Sequence, residues 1–132
     1  MTAASKSSGV ELSFDLSNKV AVITGAAGLL GIKHAEAIME MRGSPVLVDI
    51  NEKRLVDAQG RLASSFGMDP LIVKCDITKP QDVEKLRDKV ISRYGQIDIL
   101  INNAANNPKV EDKQGNDLSR LEDFPLQVWN QD

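Results

Sequence analysis

The stretch VITGAAGLLGIKHAEAI, residues 22–38, sets Gly25, Gly28 and Gly31 on one turn between an apolar run and a helical pattern. Their spacing is GxxGxxG, where the dinucleotide-binding fingerprint is GxGxxG. Three readings stand at this point: a phosphate cradle, a variant of one, or a tight strand-to-helix turn. The residues around the stretch decide what it belongs to.

KVAVIT (19–24), rich in β-branched residues and ending at Gly25, reads as a buried strand. From Gly28 the positions Gly31, Ile32, Ala35, Ile38 and Met39 follow the rhythm of one helical face. SPVLVDI (44–50) is a second strand, with Pro45 tolerated near its start. Asn51 offers a cap for a helix that buries Leu55, Ala58 and Leu62 and closes near Gly67. PLIVKCD (70–76) is a third strand. Thr78 and Gln81 then form a T-x-x-Q capping box, with Pro80 in the first turn, for a helix carrying Val83, Leu86, Val90 and Tyr94 inward and stopping at Gly95. IDILIN (97–102) is a fourth strand, 106–117 a polar loop, and FPLQVWNQD the start of a helix with Pro125 in its first turn.

Strands alternating with helices imply βαβ units and a parallel sheet covered on both faces. Right-handed crossovers set successive strands side by side. A reversal of growth after the third strand gives the order 3-2-1-4, the first half of a Rossmann fold, incomplete. The fold class is α/β. Residues 1–13 read as a flexible tail and 14–132 as a partial, NAD-binding Rossmann domain.

Composition narrows the partners. The chain has 132 residues, 42% of them hydrophobic, and a net charge of −3. Its scattered cations offer no basic face to nucleic acid or an acidic membrane. No apolar run reaches the ~20 residues of a membrane span, and no signal-peptide pattern opens the chain. The single cysteine, Cys75, excludes an internal disulfide and fits a reducing, cytoplasmic compartment. It ends an apolar run with no Cys or His near it, and reads as a buried small side chain rather than a nucleophile.

The glycine turn has physical logic as a phosphate site. Gly25 can adopt a backbone conformation closed to other residues, and bare positions at Gly25 and Gly28 let a pyrophosphate approach the main chain. Gly31 lets the helix pack close to the strands, and the helix start presents N–H groups and positive dipole. Asp49 ends the second strand at close to the ~20-residue spacing expected of the acid that bonds a ribose 2′-OH. A carboxylate there repels a 2′-phosphate, and Ile50 supplies no guanidinium to receive one. NAD is therefore expected rather than NADP. In CDIT, Asp76 stands just past the third strand, where it can accept from an adenine amino group. In INNAA (101–105), Asn102 and Asn103 end the fourth strand, where amides can tie strands or meet a cofactor.

In order and at similar spacings, TGAAGLLG, LVDIN, CDIT and INNAA resemble the short-chain dehydrogenase/reductase family, from Phe14 to the end. The resemblance implies that Gly25, Gly28 and Gly31, with Leu29 and Leu30, bind pyrophosphate and that Asp49 binds the adenosine ribose. It further implies that Asp76 and Ile77 meet the adenine, and that Asn102 and Ala104 line the cofactor and brace the sheet. The glycines depart from the TGxxxGxG of single-domain members, since Leu29 stands where the middle glycine would. GxxGxxG is more usual in extended members such as sugar-nucleotide epimerases and dehydratases. TGAAGLLG joined to INNAA is also similar to reductases of bacterial surface-glycan and flagellin-sugar modification.

The family's chemistry needs a Ser and a YxxxK, whose Lys lowers the Tyr pKa for proton exchange during hydride transfer. The only tyrosine, Tyr94, is followed four residues on by Asp98, and Ser119 has no tyrosine after it. His34 sits mid-helix and reads as a surface or packing residue, and no metal-ligand cluster is present. No catalytic residue is therefore expected within the chain, which reads as truncated before the catalytic segment and inactive by itself. The complete enzyme is expected to act on a small hydroxyl or carbonyl substrate and to form a homo-oligomer. The alternatives are an NAD-dependent sugar-nucleotide epimerase or dehydratase, and a non-catalytic nucleotide-binding module.

Overall fold

The computed structural model describes residues 14–105 and 126–129. Four strands, β1 (Val20–Thr24), β2 (Ser44–Asp49), β3 (Leu71–Lys74) and β4 (Ile99–Ile101), alternate with α1 (Leu29–Glu40), α2 (Glu52–Phe66) and α3 (Pro80–Tyr94). A short α4 (Leu126–Trp129) follows. The strands form one parallel sheet in the order β3-β2-β1-β4. This is the expected half-Rossmann arrangement, with β1 paired to β2 on one side and β4 on the other.

Alternation along the strands builds two cores. Ile23 and Leu47 point to the face covered by α1 and α2, where they pack with Ala35, Met39, Leu55, Ala58 and Leu62. Val20, Val22, Val46, Val48 and Val73 point to the other face, against Leu86 and Val90 of α3. A sheet buried on both sides explains why its strands read as unbroken apolar runs. Cys75 lies in the second core, 3% exposed, as its position after an apolar run implied.

The start of α2 follows the sequence. Asn51 is the N-cap, and its side-chain oxygen accepts from the Arg54 N–H at 3.1 Å. Gly67 and Gly95 close α2 and α3 as left-handed caps.

The start of α3 departs from expectation. No T-x-x-Q box forms: the N-cap is Lys79, it makes no side-chain cap bond, and Pro80 opens the helix. Thr78 is occupied elsewhere, donating its hydroxyl to the Asp76 carboxylate at 2.6 Å. A carboxylate two residues back is the stronger and nearer partner. The Asp82 carboxylate instead accepts from the Asp76 N–H at 3.3 Å. Val83 is also not inward; it is 41% exposed and takes no part in the core that Leu86 and Val90 enter. Tyr94 is half-buried against the same core.

Two polar knots fix β4 beside β1. At the entering edge of the sheet the Asp98 carboxylate accepts from the Val20 N–H at 2.8 Å, and the Asp98 N–H donates to the Val20 carbonyl at 3.0 Å. At the leaving edge the Thr24 hydroxyl oxygen accepts from the N–H groups of Asn103 and Ala104, each at 3.1 Å, and donates to the Ile101 carbonyl at 3.4 Å. Among the described residues no helix is long and apolar enough to cross a membrane. The stretch 1–13, the polar loop at 106–117, Ser119 and Pro125 lie outside the described residues.

Candidate functional site

The carboxyl ends of the four strands open into a cleft of about 630 Å³, the edge at which open parallel sheets bind ligands. One wall is the glycine turn. Gly25 has φ +61°, and a Cβ there would sit 2.8 Å from the Ala104 Cα, so conformation and close approach both require glycine. Gly31 is buried, and a Cβ on it would overlap the Gly25 carbonyl oxygen and stand 2.6 Å from the Ala26 Cα. Its close contact is thus with the turn that precedes the helix, rather than with the strands. Gly28 is different. Its backbone is extended (φ −83°, ψ 176°), and a Cβ would meet only the Gly25 oxygen, at 3.2 Å.

Helix α1 starts immediately after Gly28 with no side-chain cap and no acid in its first turn. The N–H groups of Leu29, Leu30 and Gly31 have no carbonyl one turn behind them within the helix. They and the helix dipole give the cleft wall a positive end that α1 itself neither caps nor compensates. Leu29 is 86% exposed and Leu30 63%, so two large apolar side chains flank the turn at its mouth.

The opposite wall is β2 and the start of α2. Asp49, half-buried, closes β2, with one carboxylate oxygen accepting from the Ala27 N–H at 3.2 Å and the other from the Asn51 N–H at 3.0 Å. Ile50 and Ile77 form an exposed apolar pair at the rim, and Arg54 reaches the same cleft. Asp76 lies behind them. Its carboxyl is held below the usual range first by the hydroxyl and N–H of Thr78, and then by the Lys79 ammonium at 3.4 Å. The Cys75 thiol closes the floor. Burial, and then the charges of Asp82 and Asp76, push its pKa up, so it stays protonated and is a poor nucleophile.

The third wall is the segment after β4. Asn103, not Asn102, reaches the turn: its side-chain amide donates to the carbonyls of Thr24 and Gly25, both at 3.1 Å. Asn102 is exposed and lines no part of the cleft, because residues at a strand end alternate sides and Asn103 takes the β1 side. The cleft therefore brings together Gly25, Gly28, Leu29, Leu30, Asp49, Asp76, Ile77 and Ala104. Gly31 stands beneath its surface and Asn102 outside it. Sequence reasoning did not single out Thr24 or Arg54 for this site, and it named Asn103 together with Asn102 as an amide able to tie strands or meet a cofactor. A lone hydroxyl ending an apolar strand was the available signal for Thr24; for Arg54 there was none. Among the described residues no His, Cys, Asp and Glu side chains group as metal ligands.

A family model described as short chain dehydrogenase matches residues 19–127. The short chain dehydrogenase/reductase dpfgG of Gibberella zeae is 43% identical over 91 residues, which is 68% of this chain and 33% of that protein. An NAD+-bound xylitol dehydrogenase structure matches with a TM-score of 0.73 at 25% identity, covering 89% of this chain and 42% of its own. L-sorbose reductase from Gluconobacter frateurii, solved with NADPH and L-sorbose, matches with a TM-score of 0.70 at 34% identity, covering 78% and 39%. The chain spans between 33% and 52% of the length of the first curated relatives it matches.

Proposed function

This chain belongs to the short chain dehydrogenase family, and we propose that its cleft holds the adenosine diphosphate end of a nicotinamide dinucleotide, NAD in preference to NADP. In the whole enzyme this serves the oxidation of a hydroxyl group or the reduction of a carbonyl. The alternatives of a sugar-nucleotide epimerase or dehydratase and of a non-catalytic module are not favoured, since the relatives are named as dehydrogenases and reductases.

The observation that carries the proposal is Gly28. The fold needs Gly25 and Gly31 for its own packing, but it asks less of Gly28, which has an ordinary backbone and a single close neighbour, the Gly25 carbonyl oxygen, 3.2 Å from the place of a Cβ. That one contact leaves the start of α1 free for something outside the chain to come close to the main chain beside Gly28. A diphosphate fits that place in charge and in hydrogen bonding. Asp49 would then take the ribose hydroxyls with the acceptor sites its two main-chain bonds leave over. Ile50 and Ile77 would flank the adenine, Asp76 would accept from its amino group, and Asn103 with Ala104 would close the third wall. When bound, the nicotinamide supplies the hydride donor or acceptor.

The preference for NAD rests on the Asp49 carboxylate, which repels a 2′-phosphate. Arg54, on the same rim, favours a second reading in which NADP is also taken. Calorimetric titration of the purified protein with NAD and NADP tests both. NAD binding at least tenfold tighter than NADP is expected, and Asp49→Ala is expected to narrow that ratio. No heat from either ligand at millimolar concentration would overturn the cofactor reading. Equal affinities that fall selectively for NADP in Arg54→Gln would establish the second. Because no tyrosine in these 132 residues stands four before a lysine, the chain by itself is proposed to turn over no alcohol. The unpaired, buried Cys75 supports a cytoplasmic home, and the family resemblance supports homo-oligomeric assembly.

A further inference from the structure

Asp49 is bonded differently from every other group on the cleft walls. Within the glycine turn the Ala26 N–H donates to the Val48 carbonyl at 3.0 Å and the Gly28 N–H to the Gly25 carbonyl at 3.1 Å. The Ala27 N–H, on a residue only 5% exposed, has a side chain as its acceptor, the Asp49 carboxylate at 3.2 Å. The other oxygen of that carboxylate accepts at 3.0 Å from the N–H of Asn51, the residue that caps α2. One carboxylate thus ties the glycine turn to the cap of the next helix.

We infer that Asp49 is a positioning residue for the glycine turn, setting where the N-terminus of α1 stands, in addition to any part in reading a ribose. The effect on nucleotide binding rests on the cofactor proposal above; the effect on the turn does not. The chemistry requires a carboxylate. Both bonded groups are N–H donors, so the residue must offer an acceptor at each end, with lone pairs to spare. Asparagine keeps one acceptor and turns an NH₂ toward the second donor. Alanine keeps neither and leaves the buried Ala27 N–H without a partner. Exchanging Asp49 to change cofactor preference therefore also loosens the diphosphate site, and an Asp49→Ala, Ile50→Arg double variant gains relative preference for NADP while losing affinity for both cofactors.

The test separates ribose from diphosphate. ADP and 2′,3′-dideoxy-ADP are titrated calorimetrically into the wild type, Asp49→Asn and Asp49→Ala, and amide hydrogen exchange is followed at Ala27 and at Val22. Dideoxy-ADP has no hydroxyls for the acid to read. Its affinity is nonetheless expected to fall about fivefold in Asp49→Ala, the worth of one lost hydrogen bond. The Ala27 amide is expected to exchange at least about tenfold faster, with Val22 unchanged, and Asp49→Asn to lie between. If Asp49→Ala does not fold, the same two readouts in Asp49→Asn decide. Unchanged dideoxy-ADP affinity together with unchanged exchange at Ala27 would overturn the inference and leave Asp49 as a ribose reader alone. A wild type that binds neither nucleotide would overturn the cofactor proposal, and faster exchange at Ala27 would then still uphold the dependence of the turn on Asp49.

Discussion

Asp98 and Asp49 stand at opposite edges of one sheet, each accepting a main-chain N–H from β1 or the turn that follows it. At the entering edge the Asp98 carboxylate is bonded by the Val20 N–H, the Gln96 side-chain amide and the Lys19 ammonium. Its polar capacity is largely spent on the protein. At the leaving edge Asp49 has two main-chain donors and an open cleft in front of it, beside an uncapped helix start and four exposed apolar side chains. The same side chain in corresponding places thus closes one edge and equips the other. What separates a structural acid from a candidate binding acid is how many acceptor sites the fold leaves unspent.

The largest expected effect that would sharpen this contrast is at Gly31. Its missing Cβ is displaced by backbone atoms that cannot yield, so Gly31→Ala should lower stability by about 3 kcal/mol, the upper end for overpacking, in urea denaturation. Next comes Thr24→Val, which removes the hydroxyl that two N–H groups share. A loss of about 1–3 kcal/mol is expected from the donors left unpaired, and a smaller value would mean that backbone pairing alone holds β4.

Gly28→Ala should reverse the pattern of Gly31. Stability is expected to change by less than about 1 kcal/mol, while affinity for NAD drops about tenfold, roughly 1.4 kcal/mol. A variant that binds as well as the wild type would break the distinction between the two glycines. Away from both edges, Gly60 lies within α2 with nothing within 4 Å of its place for a Cβ. Gly60→Ala should therefore stabilise by about 0.5–1 kcal/mol through helix propensity, without altering ligand binding.

The smallest effect is that of acid on Asp98. The Val20 N–H is the main cause of its lowered pKa, opposed by desolvation and aided by Gln96 and Lys19. A carboxyl whose pKa is lower in the folded chain contributes stability above its unfolded pKa and loses it as pH falls through the folded one. The residue as a whole is exposed, although its side chain is only 21% so, and solvent screens the contribution to a modest one. Between about pH 5 and pH 2, stability of Asp98→Asn should fall less steeply than that of the wild type. Parallel slopes would mean the entering edge does not depend on that charge.

The sheet was legible in the sequence because its central strands β1 and β2 are buried on both sides, and all four strands read as short apolar runs bounded by glycine or a polar residue. Asn51, Leu55, Ala58, Leu62 and Gly67 all stand where local rules put them. The failures lie where two local options competed or where register decided. Thr78 had a choice between capping a helix and bonding Asp76, and only the folded distances rank them. Asn102 and Asn103 are chemically identical, so which of them faces β1 depends on the last residue of a three-residue strand. The different demands on Gly28 and Gly31 were hidden for another reason: the atoms that crowd Gly31 belong to the turn before it, and spacing carries no record of them.

The clamp that finishes the glycine turn comes from far along the chain. Asn103 and Ala104 bond Thr24 and Gly25 across sequence separations of 78 to 80 residues. Contacts of that range form late, because the intervening loop must close before they return any energy. By that argument the first motif of the sequence is expected to receive its clamp late in folding. A growing chain carries its glycines from the start, yet the bonds from Asn103 and Ala104 wait for β4 to dock. Until that step the turn has its bonds to Val48, to Asp49 and within itself, but lacks the clamp that Asn103 and Ala104 add.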